Sequence, residues 1–362
     1  MSFNRESLQG LLAAIEPVDQ EIMARAQVRL DNLTKPLGAL GLLEEMAKRL
    51  CGIQATLNPA AACKIILTFA GDHGVVEEGV SAVPAEVTQQ MVANFLAGGA
   101  GVNVLANHVG AQVRVVDVGV AVPLAGQGLI QAKVKAGTAN IRKGPAMTEE
   151  EALAALGVGV EVACQAIADG AEMLGTGEMG IGNTTPAAAL FASFMDIPAD
   201  QITGRGTGIS DTVLAHKIQV VTDALVVNAG LCQDPLSTLA ALGGLEIAAL
   251  CGMILESARR KVAVVVDGFI ASAAALTAME MNPTVLEYCF FSHMSAEQGH
   301  RLFFEKRAIR PILHLDLRLG EGTGAALAMG LIEAGGKILT QMATFGEAGV
   351  SPGEILAGTA DT

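Results

Sequence analysis

The chain has 362 residues, of which 51% are hydrophobic and 17% are charged, so it has enough apolar material for one large domain with an appendage or for two domains. Its formal net charge is −14 and it has no basic block, which excludes a surface built to attract nucleic acid or an anionic membrane. A small anionic ligand is still compatible with this charge, because a few backbone amides and one or two cations are enough to hold it.

Cysteine usage and the start of the chain predict a cytoplasmic protein. None of the six cysteines forms a C-x-x-C pair, and most have apolar neighbours, which predicts buried free thiols in a reducing compartment. The stretch MSFNRESLQG lacks the apolar core of a signal peptide. Charged residues, glycine or proline interrupt the apolar runs, so we expect no membrane-spanning helix.

The N-terminal part of the chain has helical patterns. Apolar residues recur at helical spacing over residues 6–30, with an interruption at Pro17. The stretch KPLG, which begins at Lys35, predicts a turn, and residues 40–50 predict a further helix. No strand pattern occurs before residue 64.

Five short apolar runs, separated by helical stretches, follow from residue 64 onward. Because the runs are apolar on both faces, they predict buried strands of a parallel sheet with helical crossovers, which is an α/β fold. A sixth strand is predicted near residues 201–207. The five runs are residues 64–70, 113–119, 171–177, 262–268 and 311–317.

Acidic residues and glycines cluster at or near the end of each of the five runs. Since the carboxyl ends of parallel strands share one edge of the sheet, we expect these five segments to converge on one ligand site. The clusters are GDHG (71–74), DVG (117–119), GEMG (177–180), DG (267–268) and LGEGTG (319–324).

The stretch GTGEMG (175–180) has the G-x-G-x-x-G spacing of a dinucleotide-binding turn. That motif also requires an acidic residue at a strand end about 20 positions later, and Asp200 lies instead in a polar turn. The alternatives are a tight strand-to-helix turn and an anion site. The anion site fits better, because the backbone amides from Gly180 to Thr184 would open a helix and face the anion.

Two carboxylates and one lysine are candidates for chemistry. Glu321, between the glycines of LGEGTG, is either a helix N-cap or a group that meets substrate directly. Together with Glu178 at the same edge, it suggests a base with a binding group, or an acid–base pair. Lys217 follows the glycine loop GRGTGIS and is either a phosphate-binding cation or part of a solvated helix face.

Two further patterns predict structural roles. Asp72 and His73 predict a hydrogen-bonded pair and no metal site, because no other histidine or cysteine stands at ligand spacing. Ser295 and Gln298 have the spacing of a capping box for the next helix. We expect no cofactor and no metal.

Six motifs occur in one order between Lys35 and Ala328: KPLGALG, GDHGV, GEMGIGNTTPAAA, VVDGF, SHMSAEQG and RLGEGTGAALA. The ordered set resembles the nicotinate-nucleotide–dimethylbenzimidazole phosphoribosyltransferase family. The resemblance implies phosphoribosyl transfer from nicotinate mononucleotide to a lower-ligand base in cobamide assembly. It implies a homodimer, with a heterodimer with a paralogue as the alternative. Each chain would have a Rossmann-like parallel α/β domain (62–337) and a small helical domain built from both chain ends (1–61 with 338–362).

The resemblance also implies roles for individual residues. Glu321 matches the general base, and Glu178, Met179 and Gly180 match the acceptor-side loop. The predicted nucleotide-binding positions are Gly182, Asn183, Thr184, Gly206, Lys217, Ser295 and Gly320. Family members carry a serine and a glutamine where this chain has Val83 and Met91, so we expect a more apolar acceptor pocket. The acceptor therefore stays open between a benzimidazole, a purine and a phenol.

Two other functions are compatible with parts of the sequence. The first is an NAD-binding oxidoreductase, which a change in NADH fluorescence on titration would support. The second is a catalytically weak partner subunit of a paralogous transferase. Glu321 argues against the second, because a silent subunit need not keep its base.

Overall fold

The centre of the molecule is a six-stranded sheet, seen in a computed structural model that describes residues 3–351. All neighbouring strands are parallel and lie in the order β3-β2-β1-β4-β5-β6. This is the strand order of a Rossmann-like fold, whose ligand crevice lies where the order reverses, between β1 and β4. The strands are β1 (Lys64–Gly71), β2 (Ala111–Gly119), β3 (Leu129–Gln131), β4 (Met173–Met179), β5 (Ala263–Val266) and β6 (Cys289–Phe291).

Helices flank the sheet and also precede it along the chain. Chiefly α4, α5, α11, α12 and α14 contact the strands. The helices are α1 (Arg5–Ala13), α2 (Gln20–Asp31), α3 (Leu42–Gln54), α4 (Val87–Leu96), α5 (Gly101–Val109), α6 (Glu149–Ala168), α7 (Thr184–Met195), α8 (Ala199–Ile202), α9 (Asp211–Asn228), α10 (Pro235–Leu242), α11 (Leu245–Arg259), α12 (Phe269–Met281), α13 (Gln298–Arg307), α14 (Thr323–Gln341) and α15 (Phe345–Ala348).

Four of the five predicted strands are confirmed, and the α/β class with them. The prediction of a strand at 311–317 is wrong. That segment runs beside β6, where the Ile312 N–H donates to Phe291 O at 3.0 Å, but only one residue of it, Leu313, forms a ladder bridge. The sheet is instead completed by β3 and β6, which have three residues each and are too short to give a distinct apolar run.

The N-terminal helices are confirmed, and the weak sixth strand is not. Helices α1 and α2 are separated by a break that contains Pro17, and α3 covers most of the predicted helix at 40–50. Residues 201–207 contain the end of α8 and a following turn, because their glycines favour a loop over a strand. The cysteines are free, but only three of the six are buried, and Cys63 is exposed.

Helices α6 and α11 form the closest helix pair of the core. A Cβ atom at Gly159 would lie 1.8 Å from Ala249 O, and one at Gly252 would lie 2.0 Å from Leu156 O, so both positions require glycine. Within residues 3–351, α6 is the helix whose length and apolar composition would suffice to cross a membrane. Because α6 packs along α11, its apolar composition is that of a core helix.

The division into two domains stays a prediction. A small separate core supports it, formed by buried residues of α2, α3 and the end of α14, among them Leu30, Cys51 and Leu339. Helix α14 continues through the predicted boundary at residue 338, so it would belong to both parts. Residues 352–362 of the predicted small domain lie outside the described residues.

The helix pair gives a stability prediction. Gly252→Ala should lower the free energy of unfolding by about 1–3 kcal/mol, because the added methyl group forces α6 and α11 apart. Gly10→Ala is the matched control: Gly10 lies in α1 with open space around it, so alanine should raise stability by up to about 1 kcal/mol. Urea unfolding of the three proteins measures both effects. Equal midpoints for parent and Gly252→Ala would contradict the close packing.

Candidate active site

A cavity of about 360 Å³ opens at the carboxyl end of β4. Twelve of the thirteen predicted site residues line it, and the thirteenth, Lys217, lies directly behind its wall. The twelve are Val83, Met91, Glu178, Met179, Gly180, Gly182, Asn183, Thr184, Gly206, Ser295, Gly320 and Glu321. The site residues therefore meet in one cavity, at the edge of the sheet where α/β folds bind ligands.

Glu321 lies in a sharp turn before α14. Its φ of +66° is in the left-handed region, which is uncommon for a residue with a side chain. Its Oε2 accepts a hydrogen bond of 3.4 Å from the backbone N–H of Val102, in the first turn of α5. Burial raises the pKa of Glu321 above its ordinary value, the Val102 N–H opposes this, and the charge of Asp267 adds to it. Glu321 is thus a buried carboxyl whose raised pKa makes its ionised form a stronger base.

Glu178 is the second carboxyl of the cavity and is 6% exposed. Its Oε2 accepts a 2.5 Å hydrogen bond from Asn183 Nδ2, and its Oε1 accepts one of 3.4 Å from the Glu321 N–H. Burial raises the pKa of Glu178 to about 8; Asn183 opposes the shift, and the buried charges of Asp267 and Glu246 reinforce it. At neutral pH Glu178 is therefore protonated and able to donate a hydrogen bond.

The GTGEMG stretch is not a dinucleotide-binding turn. Its first five residues lie inside β4. In a dinucleotide-binding fold the glycine-rich turn follows the first strand in the chain, but here the chain leaves β1 through GDHG. The glycines serve close packing: a Cβ at Gly177 would lie 2.4 Å from Glu321 O, and one at Gly175 would lie 2.8 Å from Met329 Cε. The turn before α14 can therefore lie directly against the strand.

The loop after β4 leads into α7, as predicted, and Lys217 lies beneath its start. Lys217 is 1% exposed, and its Nζ donates a 2.7 Å hydrogen bond to Thr184 Oγ1. The solvated-face interpretation of Lys217 is therefore wrong. Burial lowers the pKa of Lys217 to about 8, and the nearby Glu297 carboxylate opposes this shift. Because the lysine holds one lone pair of the Thr184 hydroxyl, the Thr184 proton is free to point elsewhere.

One wall of the cavity is apolar. Val83, Val87 and Met91 line it from the start of α4 and the loop before it. The side chain of Thr88 on the same helix accepts a hydrogen bond of 3.1 Å from the Ile181 N–H, which ties α4 to the loop after β4. Val83 and Met91 therefore lie where the sequence predicted an apolar pocket.

Three further ionisable residues line the cavity and were not among the predicted site residues: His293, Glu297 and Arg318. Glu297 is buried, and burial raises its pKa against the effect of Lys217. Arg318 is exposed and is the only lysine or arginine among the lining residues. His293 and Glu297 stand within SHMSAEQG, and Arg318 within RLGEGTGAALA, so the motifs contained a signal for each.

Several structural predictions near the site need correction. His73 does not pair with Asp72: its Nε2 lies 2.6 Å from Glu246 Oε1. Burial opposes charge on His73, but the Glu246 carboxylate outweighs it and raises the pKa of His73. Residue 246 lies on α11, far along the chain, so the closer Asp72 was the misleading choice. The pair lies under Gly180, where a Cβ would be 3.1 Å from His73 Nε2.

The capping box at Ser295 is also wrong. The helix that follows begins at Gln298 with Glu297 as its N-cap, and that cap makes no side-chain hydrogen bond. Ser295 instead donates its N–H to His300 Nδ1 at 3.0 Å. Burial lowers the pKa of His300 to about 3, so this ring is neutral and accepts that bond. Because His300 lies on α13, this hydrogen bond holds Ser295 at the cavity wall.

Convergence of all five acid–glycine clusters is an overstatement. The clusters around Glu178, Gly268 and Glu321 line the cavity, but those at 71–74 and 117–119 do not. Asp117 instead accepts a hydrogen bond of 3.0 Å from the Val120 N–H beyond β2. Among residues 3–351, no group of three histidine, cysteine, aspartate or glutamate side chains is placed to hold a metal ion.

Known proteins match this chain over most of its length. The sequence model of a family described as phosphoribosyltransferase matches residues 15–350. The nicotinate-nucleotide–dimethylbenzimidazole phosphoribosyltransferases of Geotalea uraniireducens and Geobacter sulfurreducens are 59% and 57% identical to it, each over 96% of this chain and 99% of the relative. A crystal structure of the enzyme of that name from Thermus thermophilus is 48% identical and superposes with a TM-score of 0.87, over 92% of this chain and 100% of that one. The chain belongs to this phosphoribosyltransferase family.

Proposed function

We propose that the chain transfers the phosphoribosyl group of nicotinate mononucleotide to an aromatic base, releasing nicotinate and an α-riboside phosphate for cobamide assembly. The observation that carries the proposal is Glu321, a buried carboxyl with raised basicity that faces a cavity walled by apolar side chains on one side and by a helix start on the other. The relatives' names give the same donor and a benzimidazole acceptor.

The chemistry needs a base and a place for positive charge. The pyridinium of the donor already carries a positive charge, so nicotinate leaves with the bonding electrons and without protonation. The ribose carbon becomes cationic as this bond breaks, and the Glu321 carboxylate stabilises that charge. The acceptor's ring nitrogen or hydroxyl oxygen forms the new bond from the opposite face, and its proton passes to Glu321. Configuration at the ribose carbon therefore changes from β to α.

The phosphate belongs at the start of α7. Helix N-termini present unpaired backbone N–H groups and partial positive charge to an anion. The backbone N–H groups of Gly182 and Thr184, the free proton of the Thr184 hydroxyl and the charge of Lys217 behind it supply donors there. Gly206 lies next to this place, since a Cβ on it would be 3.3 Å from Lys217 Nζ. Ser295 and Gly320 complete the nucleotide side of the cavity.

The acceptor belongs between α4 and the loop after β4. Val83, Met91 and Met179 offer apolar contact to an aromatic ring. The protonated Glu178 carboxyl can donate a hydrogen bond to the acceptor, while Glu321 takes the acceptor's proton. A phenol makes fewer polar demands than a purine in such a pocket, so we include phenols with dimethylbenzimidazole as acceptors.

The two rival functions have little support. An NAD-binding oxidoreductase depended on the GTGEMG turn, and that stretch lies within β4. A silent partner subunit would not need the buried base, and Glu321 lines the cavity with its carboxyl hydrogen-bonded. The proposed assembly is a homodimer, and sedimentation of the purified chain would test it. The proposed location is the cytoplasm.

Glu321→Gln keeps the side-chain shape and removes the base. Turnover should fall by roughly 10²–10⁴-fold, with nucleotide affinity little changed. In the parent, turnover should fall as pH drops through the raised pKa of Glu321, because only the ionised form accepts a proton. Product formation from nicotinate mononucleotide and dimethylbenzimidazole, followed by mass spectrometry, measures both. The control is Glu305→Gln, which removes an exposed carboxylate on α13; parent-like turnover in Glu321→Gln would contradict the assignment.

Lys217→Met keeps the length of the side chain and removes its charge. Nucleotide binding should weaken by about 1.5–3 kcal/mol, the usual contribution of a hydrogen bond to a charged group. In the parent, affinity should decline as pH rises above about 8, where Lys217 loses its proton, and the variant should lack this decline. Lys143→Met removes one exposed positive charge as a control for net charge. Calorimetric titration with equal affinities in parent and Lys217→Met would remove the lysine from the phosphate site.

Met91→Gln tests the acceptor wall. An apolar wall cannot pair a second ring nitrogen, and leaving that nitrogen buried and unpaired costs roughly 1–3 kcal/mol. Glutamine should therefore shift the preference from phenol and p-cresol toward dimethylbenzimidazole, measured as a ratio of kcat/KM values. An unchanged ratio, or no product from any phenol with the parent, would show that the wall does not select the acceptor.

A further inference from the structure

We propose that Asp267 is a positioning residue for the transfer reaction, which holds the turn of Glu321 so that its carboxyl faces the acceptor. Asp267 follows β5 and does not line the cavity. This inference rests on the proposed function, since it concerns the base of that reaction.

The turn needs an external support because its backbone is unfavourable. Gly320, Glu321 and Gly322 have three successive positive φ values, +80°, +66° and +105°. Two of the three positions are glycine, which adopts this conformation at little cost, but Glu321 is not. A side chain held in this region persists only where surrounding contacts fix it.

Asp267 supplies two of those contacts. Its Oδ2 accepts the Gly322 N–H at 3.1 Å, and its Oδ1 accepts the Ala325 N–H at 3.0 Å. One carboxylate thus binds the residue after Glu321 and the first turn of α14. Its own backbone is fixed in turn, because its N–H donates to Thr176 Oγ1 on β4 at 2.8 Å. The base is therefore tied to the sheet through Asp267.

Thr68 on β1 supplies an uncharged contact to the same turn. Its Oγ1 donates a hydrogen bond of 3.2 Å to the carbonyl oxygen of Glu321. Thr68 and Asp267 therefore hold the same turn from two strands, but only Asp267 adds a negative charge. This difference separates the geometric effect of the turn from the electrostatic effect of the aspartate.

Asp267 acts on Glu321 through its negative charge as well as through its hydrogen bonds. A second buried carboxylate disfavours ionisation of the first, and Asp267 raises the pKa of both Glu321 and Glu178. The other titratable groups nearby are Glu178 on β4, the pair formed by His73 and Glu246, and His293 after β6, whose Nδ1 lies 3.9 Å from Asp267 Oδ1. Glu178 also accepts a hydrogen bond from the turn, at 3.4 Å from the Glu321 N–H. Asp267 differs from it in binding the turn and the helix start twice, at 3.1 and 3.0 Å.

Asp267→Asn tests the proposal. The amide keeps the size of the side chain but cannot accept both backbone N–H groups and carries no charge. We expect kcat to fall about 10- to 100-fold, as for a small displacement of a catalytic group, with KM for nicotinate mononucleotide little changed. We also expect the acid limb of the kcat profile to move to lower pH, because the charge that opposes ionisation of Glu321 is gone.

Thr68→Val is the matched comparison, since it loosens the same turn and leaves every charge in place. It should lower kcat with the acid limb unmoved. If Asp267→Asn does not fold, as judged by circular dichroism and Tm, Thr68→Val alone tests the support of the turn, and parent-like kcat in it overturns the proposal. A folded Asp267→Asn with parent kcat, or with kcat reduced equally at every pH, also overturns it. If the parent makes no riboside from nicotinate mononucleotide, the proposed function itself is refuted. In that case Glu321→Gln has no parent activity against which to be compared.

Discussion

The left-handed backbone of Glu321 is the constraint on which the site depends. In that conformation the side chain reaches the first turn of α5 and lines the cavity. The conformation requires glycine on both sides, a glycine in β4 at residue 177 to make room, and acceptors for the freed N–H groups. Each requirement is met by a different segment, so the base is correctly placed only when β1, β4, β5 and α14 are all assembled.

The cavity combines buried acids with a substrate that is itself an anion. Glu178, Glu297 and Glu321 line it, whereas Arg318 is the only lysine or arginine among the lining residues in the described part of the chain. Such a site would repel a phosphate if all three acids were ionised, but burial raises the pKa of each. Protonation of Glu178, whose pKa burial raises to about 8, lowers this repulsion, and the helix start with Lys217 then attracts the phosphate locally. The same burial gives Glu321 its basicity, so anion binding and proton abstraction have one physical cause.

The sequence predicted the residues of the cavity more completely than it predicted the strands of the sheet. Apolar runs identified β1, β2, β4 and β5, because each is long enough to show burial on both faces, but β3 and β6 are too short to do so. Glu178, Glu321 and Lys217 were candidates from their glycine-rich loops, whereas most of the other cavity residues were assigned by the family resemblance. The errors concern side-chain partners: His73 bonds Glu246, which is distant in sequence and which spacing along one segment cannot reveal. Ser295 bonds His300, five residues later, at a spacing that differs from that of a capping box.

The proposed donor and acceptor sides of the cavity are built on different elements, which would separate the reaction from the choice of acceptor. The proposed base, the proposed phosphate donors and their supports lie on the sheet and on α7, α9 and α14, whose packing is part of the main core. The proposed acceptor wall lies on α4 and the loop before it, whose lining residues Val83, Val87 and Met91 are only partly buried. Substitution on α4 changes few core contacts, whereas a change at Thr68, Asp267 or Gly177 moves the base. Acceptor preference can therefore vary between relatives of this fold while the position of Glu321 stays fixed.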